Sequence, residues 1–79
     1  MNKKRLQRLE QALNELQTAY NDLTIIRDEE EEDFDNIPDN KSNSALADLT
    51  VRNAEDIEAA VYDLAIVIDI LKNVVDTNR

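Results

Sequence analysis

From Leu6 onward, apolar residues recur at Leu6, Leu9, Leu13, Leu16, Tyr20 and Leu23. Steps of three and four put all six on one stripe of an α-helix. Ala12, Ala19 and Ile26 widen that stripe along one edge, which suits a bundle core better than the narrow seam of a two-stranded coil. The register then meets Arg27 and Glu30 before Phe34 returns to the apolar face. That interruption reads either as a polar layer that sets register or as a pair of exposed charges. With Asn2 as a suitable N-cap, the pattern predicts a first helix over about residues 3–34.

A second series holds Leu46 and Leu49, then Ile57, Ala60, Val61, Leu64, Val67, Ile68, Leu71, Val74 and Val75. From Ile57 onward its members cover an arc of roughly 140° at helical spacing. A strand would alternate, and this series does not. Between the two series, Pro38 disfavours helical geometry at Ile37, and the neighbouring Asn and Asp residues suit a turn. Ser42 or Ser44 supplies the next N-cap. The expected layout is therefore a turn over about residues 35–42 and a second helix over about residues 43–77, within a single domain spanning 1–79. A short connection between long helices makes them antiparallel neighbours. The fold class is all-α, an antiparallel two-helix hairpin.

Two helices have no closed interior. Ile66 and Ile70, with Ala59, lie roughly 180–220° around the second helix from Ile57, so one partner helix cannot cover both surfaces. The expectation is a homo-oligomer, with a dimer favoured. Two hairpins would form an antiparallel four-helix bundle, and Ile66, Ile70 and Val74 would lie on the oligomer surface.

Composition strengthens that expectation. A chain of 79 residues is at the size where one core is only marginally sufficient. It has no Cys for disulfides and no His, so a structural zinc site is not expected. Association is the remaining source of stability. The lack of Cys is compatible with a reducing cytoplasm. The longest apolar run, Leu64–Ile68, is far too short to span a bilayer, and no apolar segment follows Lys3-Lys4-Arg5 as it would in a secretory signal. A cytoplasmic location is therefore expected. A net charge of −9 argues against direct binding to nucleic acid or anionic lipid and favours a basic protein partner.

Negative charge is concentrated where the two helices meet. Eight acidic residues and no basic one lie between Asp28 and Asp39, among 18 in the whole chain. The bland reading is a solvated helix end, with Phe34 and Ile37 turned inward to close the tip. The sharper reading is a partner-binding tip made of Glu29, Glu30, Glu31, Glu32, Asp33, Phe34, Asp35 and Ile37, an apolar anchor ringed by acids. Carboxylates also suit hard cations, but there is no EF-hand spacing and no Gly to shape a calcium loop. No metal or cofactor is expected.

Catalysis has little support. There is no His or Cys, no Gly-rich phosphate loop and no Ser beside a base. Glu29 and Asp33 share a helix face, but carboxylate repulsion without a cleft makes no acid–base site. Tyr20 falls on the apolar stripe and Tyr62 away from it; two scattered rings do not make a stacking platform.

The segment Ile26-Arg27-Asp28-Glu29-Glu30-Glu31-Glu32-Asp33-Phe34-Asp35-Asn36-Ile37-Pro38-Asp39-Asn40 resembles a pattern found in small acidic two-helix proteins of bacteriophages, prophages and mobile elements. Those proteins join a leucine-patterned helix to an Ala-rich one through a Glu-rich end and a Phe-Asp-Asn-Leu/Ile-Pro turn. The chain departs from them after the turn, where Lys41-Ser42-Asn43-Ser44-Ala45-Leu46 replaces their Ser-Glu-Arg stretch. The resemblance implies a phage or bacterial cytoplasmic setting and brings no enzymatic activity with it. Together these readings predict a non-enzymatic hairpin acting through protein–protein contacts. The alternative is an acidic nucleic-acid mimic that occupies the DNA-binding groove of a host nuclease or defence enzyme.

Overall fold

The computed structural model describes residues 1–38 and 44–79. Among them, a helix over Lys3–Asp35 (α1) and a second over Ala45–Asn78 (α2) pack along each other, with no strand. The result is a rod of 60 × 15 × 14 Å, one helix pair thick. Cross-helix pairs establish the antiparallel sense. The Met1 amino group donates to Asn78 Oδ1 at 3.3 Å, and Arg79 lies 3.7 Å from Glu10. Toward the turn, Arg27 meets Glu58 at 2.8 Å, and Asn53 Nδ2 donates to Glu30 Oε1 at 3.3 Å.

Local chemistry sets the helix ends. Asn2 is extended at φ −74° and ψ 160°, and its side chain accepts the Arg5 N–H at 2.7 Å, satisfying one of the first-turn donors. α1 closes with the Asn36 N–H donating to the Glu32 carbonyl and the Ile37 N–H to that of Phe34, both at 3.1 Å. Pro38 then follows, lacking an N–H and biasing Ile37 away from the helical region. At the start of α2, Ser44 is the cap, its Oγ accepting the Ala47 N–H at 3.2 Å. α1 ends one residue beyond its expected position, while α2 begins two residues and ends one residue later than expected. The Asp39-Asn40 part of the expected turn, the alternative cap Ser42 and the expected first residue of α2, Asn43, lie outside the described residues.

Steps of three and four continue without a slip along both helices. The seam of α1 runs through Leu6, Leu9, Leu13, Leu16, Tyr20, Leu23, Arg27, Glu30 and Phe34, with Ile37 beyond its end. That of α2 runs through Ala47, Thr50, Ala54, Ile57, Val61, Leu64, Ile68, Leu71, Val75 and Asn78. Leu13, Ile68 and Val75 form the buried centre, packed by Leu6, Leu9, Leu16, Tyr20, Leu64 and Leu71. Burial of one such aliphatic side chain is worth about 1.5–3 kcal/mol. Among the described residues, however, no large side chain is fully enclosed, because a pair of helices leaves both edges of its seam open.

One expectation about the seam is corrected. Leu46 and Leu49, expected in the apolar set of α2, are both exposed; Ala47 and Thr50 are buried instead. Counting back from Val61 by fours and threes reaches Ile57, Ala54, Thr50 and Ala47, which leaves each Leu one position off the seam. Thr50 is the only buried polar residue among those described, and its hydroxyl donates to the Leu46 carbonyl at 2.8 Å. Burial therefore leaves this hydroxyl with a partner.

Candidate functional site

With the seam residues at heptad positions a and d, the positions beside them, e and g, fall on opposite flanks of an antiparallel pair. On one flank the e positions of both helices meet. Glu10, Gln17, Thr24 and Glu31 of α1 stand beside Glu58, Ala65, Lys72 and Arg79 of α2, with half-buried Val51 one heptad before Glu58. The ion pair between Glu10 and Arg79 crosses here, and Glu58 of the same flank reaches over to Arg27. A shallow groove of about 190 Å³ is lined by Gln17, Tyr20, Ala65, Ile68, Asp69 and Lys72. Polar and long-stemmed side chains cover this edge of the seam.

The g flank is different. Its α1 positions are Arg5, Ala12, Ala19, Ile26 and Asp33; its α2 positions are Leu46, Asn53, Ala60, Val67 and Val74. The antiparallel register sets Ala12 level with Val74, Ala19 with Val67 and Ile26 with Ala60. No charged residue stands among those six. Ile70 and Ile66 continue the apolar surface around α2, and a shallow hollow lies among Ile70, Asn73, Val74, Thr77 and Asn78. Ile26 (46%), Val67 (43%), Ile66 (49%) and Ile70 (57%) keep roughly half of their surface in water. Val74 is half-buried. Ile66 and Ile70 are thus exposed, as expected of an outer surface, whereas Val67, assigned to the core, lies beside it.

The whole molecule shows the same excess. Its accessible surface is 6017 Å². A compact monomer of 9.1 kDa exposes roughly 4,900 Å² by the usual scaling. The difference, about 1,100 Å², exceeds the roughly 800 Å² that each partner contributes to a standard protein interface.

At the turn end, Glu29, Glu31, Glu32, Asp33 and Asp35 are exposed. Glu30 is half-buried where it accepts from Asn53. Ile37 is half-buried, but Phe34 stays 39% exposed at the rim of the seam, less enclosed than its place on the apolar stripe suggests. Asp39 lies outside the described residues. Among the described residues, no three acidic side chains are arranged to hold a metal ion. Nor, among these residues, is any helix long and apolar enough to cross a membrane.

Arg27 and Glu30 do not pair with each other; each reaches across to α2. Arg27 is half-buried and holds Glu58 at 2.8 Å and Asp28 at 3.2 Å. Hydrogen bonds to Glu58, and secondarily to Asp28, raise the guanidinium above its ordinary range. A raised cation contributes its stability below the unfolded-state value and loses it only as pH climbs through the folded one. That window is strongly alkaline, so Arg27 gives the layer no pH dependence near neutrality. The arrangement is a cross-helix polar layer within the seam.

Asn53 and Glu58 stand outside the apolar series read from the sequence. Their signal appears only when both helices are written in heptads and laid antiparallel. Compared with protein-family models, curated proteins and solved structures, the chain matches none.

Proposed function

We propose that the chain is a non-enzymatic, protein-binding helical hairpin whose first partner is a second copy of itself, the two forming a four-helix bundle. The observation that carries this reading is the uncharged flank of Ala12, Ala19, Ile26, Ala60, Val67 and Val74 beside an incompletely enclosed core. Covering such a flank removes apolar surface from water at about 25 cal/mol per Å² before the cost of association is met. Small residues at the flank let a second helix pair approach closely, and Ile66 and Ile70 extend the contact around α2. A phage or mobile-element accessory role in a bacterial cytoplasm agrees with the acidic Phe-Asp-Asn-Ile-Pro pattern.

Concentration tests this reading. If folding is coupled to pairing, the thermal midpoint rises with protein concentration. The expected result is a gain of several degrees by circular dichroism across a hundredfold range. A midpoint independent of concentration contradicts it.

The exposed carboxylates Glu29, Glu31, Glu32, Asp33 and Asp35 support a second reading, inhibition of a basic DNA-binding enzyme by charge mimicry. Under it, the chain inhibits a bacterial nuclease in competition with duplex DNA. Changing Glu29, Glu31 and Glu32 to Gln then removes inhibition while helix content stays constant. Inhibition indifferent to those changes and to salt contradicts mimicry.

A further inference from the structure

We propose that the second copy lies head to tail with the first, its acidic turn end over this copy's basic open end, about a twofold axis crossing at Ala19 and Val67. The inference rests on the self-association proposed above and specifies its geometry. Two hairpins meeting flank to flank through a twofold have two choices. An axis along the rod puts both turns at one end and sets α1 over the partner's α2. An axis across the rod puts the turns at opposite ends and sets α1 over the partner's α1.

Apolar packing alone does not separate these choices, since both bury the same six uncharged residues against one another. In the crossed arrangement, Ala12 faces the partner's Ile26, Ala60 faces the partner's Val74, and Ala19 and Val67 each face their own copies.

Charge does separate them. On the same flank, Arg5 stands one heptad before Ala12 and Asp33 one heptad after Ile26, equally far from Ala19. The crossed axis therefore brings Arg5 to the partner's Asp33 at both ends. It also brings Lys4 and Arg8 near the partner's Glu29 and Glu32. Within one copy, Lys3, Lys4, Arg5 and Arg8 have no carboxylate in ion-pair range among the described residues, where the ion pairs use Arg27 and Arg79. The axis along the rod would instead gather the seven acidic residues of Asp28–Asp35 from each copy at one end. Like charges so placed repel, and the basic ends would repel in the same way.

Zero-length carbodiimide cross-linking of the full chain, mapped by mass spectrometry, tests this directly. Lys4 and Glu32 of one copy are separated by 28 residues of helix, about 42 Å, so a bond between them joins two copies. The expected result is dimer containing Lys3 or Lys4 joined to Glu29, Glu31, Glu32 or Asp33. In a second experiment, D35C provides a single thiol at the turn end. Head-to-tail copies keep these thiols apart, whereas turns at one end give a disulfide-linked dimer on mild oxidation. A dimer with that disulfide and no Lys–Glu bond overturns the orientation while leaving self-association intact. A monomer in both experiments overturns both. As a third measurement, R5D should weaken dimerisation about fivefold to tenfold and adding D33R should restore it. Equal affinities for all three forms would contradict the pairing.

Discussion

The two flanks of this rod come from the same two helices in the same register, yet among the described residues only one is crossed by ion pairs. On the e flank, Glu10 pairs with Arg79, Glu58 reaches Arg27, and Gln17 and Lys72 border the groove over Tyr20 and Ile68. Long polar side chains can lay their stems along a seam while their heads stay in water. The middle of the g flank has Ala12, Ala19, Ile26, Ala60, Val67 and Val74, none of which carries a polar head to reach over the seam. An edge lined by short apolar residues is covered from outside or remains wet. The difference between the polar edge and the apolar one therefore lies in a few flanking residues, with the seam itself common to both.

The largest effect should come from the part the flanks share. Replacing Ile68 with Ala opens a cavity in the buried centre and costs about 2–5 kcal/mol. For a chain this small that is most of its stability, so the thermal transition should broaden or vanish and association should be lost with it. A cooperative melt near the wild-type midpoint would show that the centre lies elsewhere.

A test confined to the g flank comes next. V67D sets a carboxylate in the proposed interface, where the twofold axis brings it against its own copy. Dimer affinity should fall about a hundredfold or more in sedimentation velocity. A dimer of undiminished affinity would remove this flank from the interface. The matching change on the e flank, A65E, sits at an edge already lined by polar groups, and its effect belongs with the smallest.

Between these lies the polar layer. R27L replaces a seam cation with an apolar side chain and leaves Glu58 and Asp28 in water, so no buried charge is stranded. The thermal midpoint should rise by about 2–5 °C. The helices should then be less committed to one register, visible as broadened amide resonances. A lower midpoint would mean that the ion pair outweighs the apolar gain. Smallest of all, A65E should change stability by no more than about 0.5 kcal/mol and leave dimer affinity unchanged.

Much of the fold is legible in the sequence because its physics is local. The Leu spacing of α1, the Asn2 cap and the stop before Pro38 each follow from a few neighbouring residues, and both helices end close to where those signals put them. Leu46 and Leu49 mislead because they are strongly hydrophobic yet one position out of phase with the seam. Small Ala47 and Thr50 fill the seam, and a composition-led reading passes over them. Ile66 and Ile70 were identifiable by angle around their own helix. The continuous g flank was not, because it joins residues 34 to 62 positions apart and exists only once the antiparallel register is set. Likewise, Arg27 gave no sign that its partner would be Glu58, since ion-pair choice depends on which flank each residue reaches.

On the proposed reading, this hairpin is half of a bundle. Sedimentation equilibrium of the full chain at tens of micromolar tests it most directly, with helix content checked by circular dichroism on the same sample. The expected mass is twice 9.1 kDa, falling toward the monomer only on strong dilution or in V67D. A fully helical, cooperatively folding species that stays at 9.1 kDa across the range would contradict it.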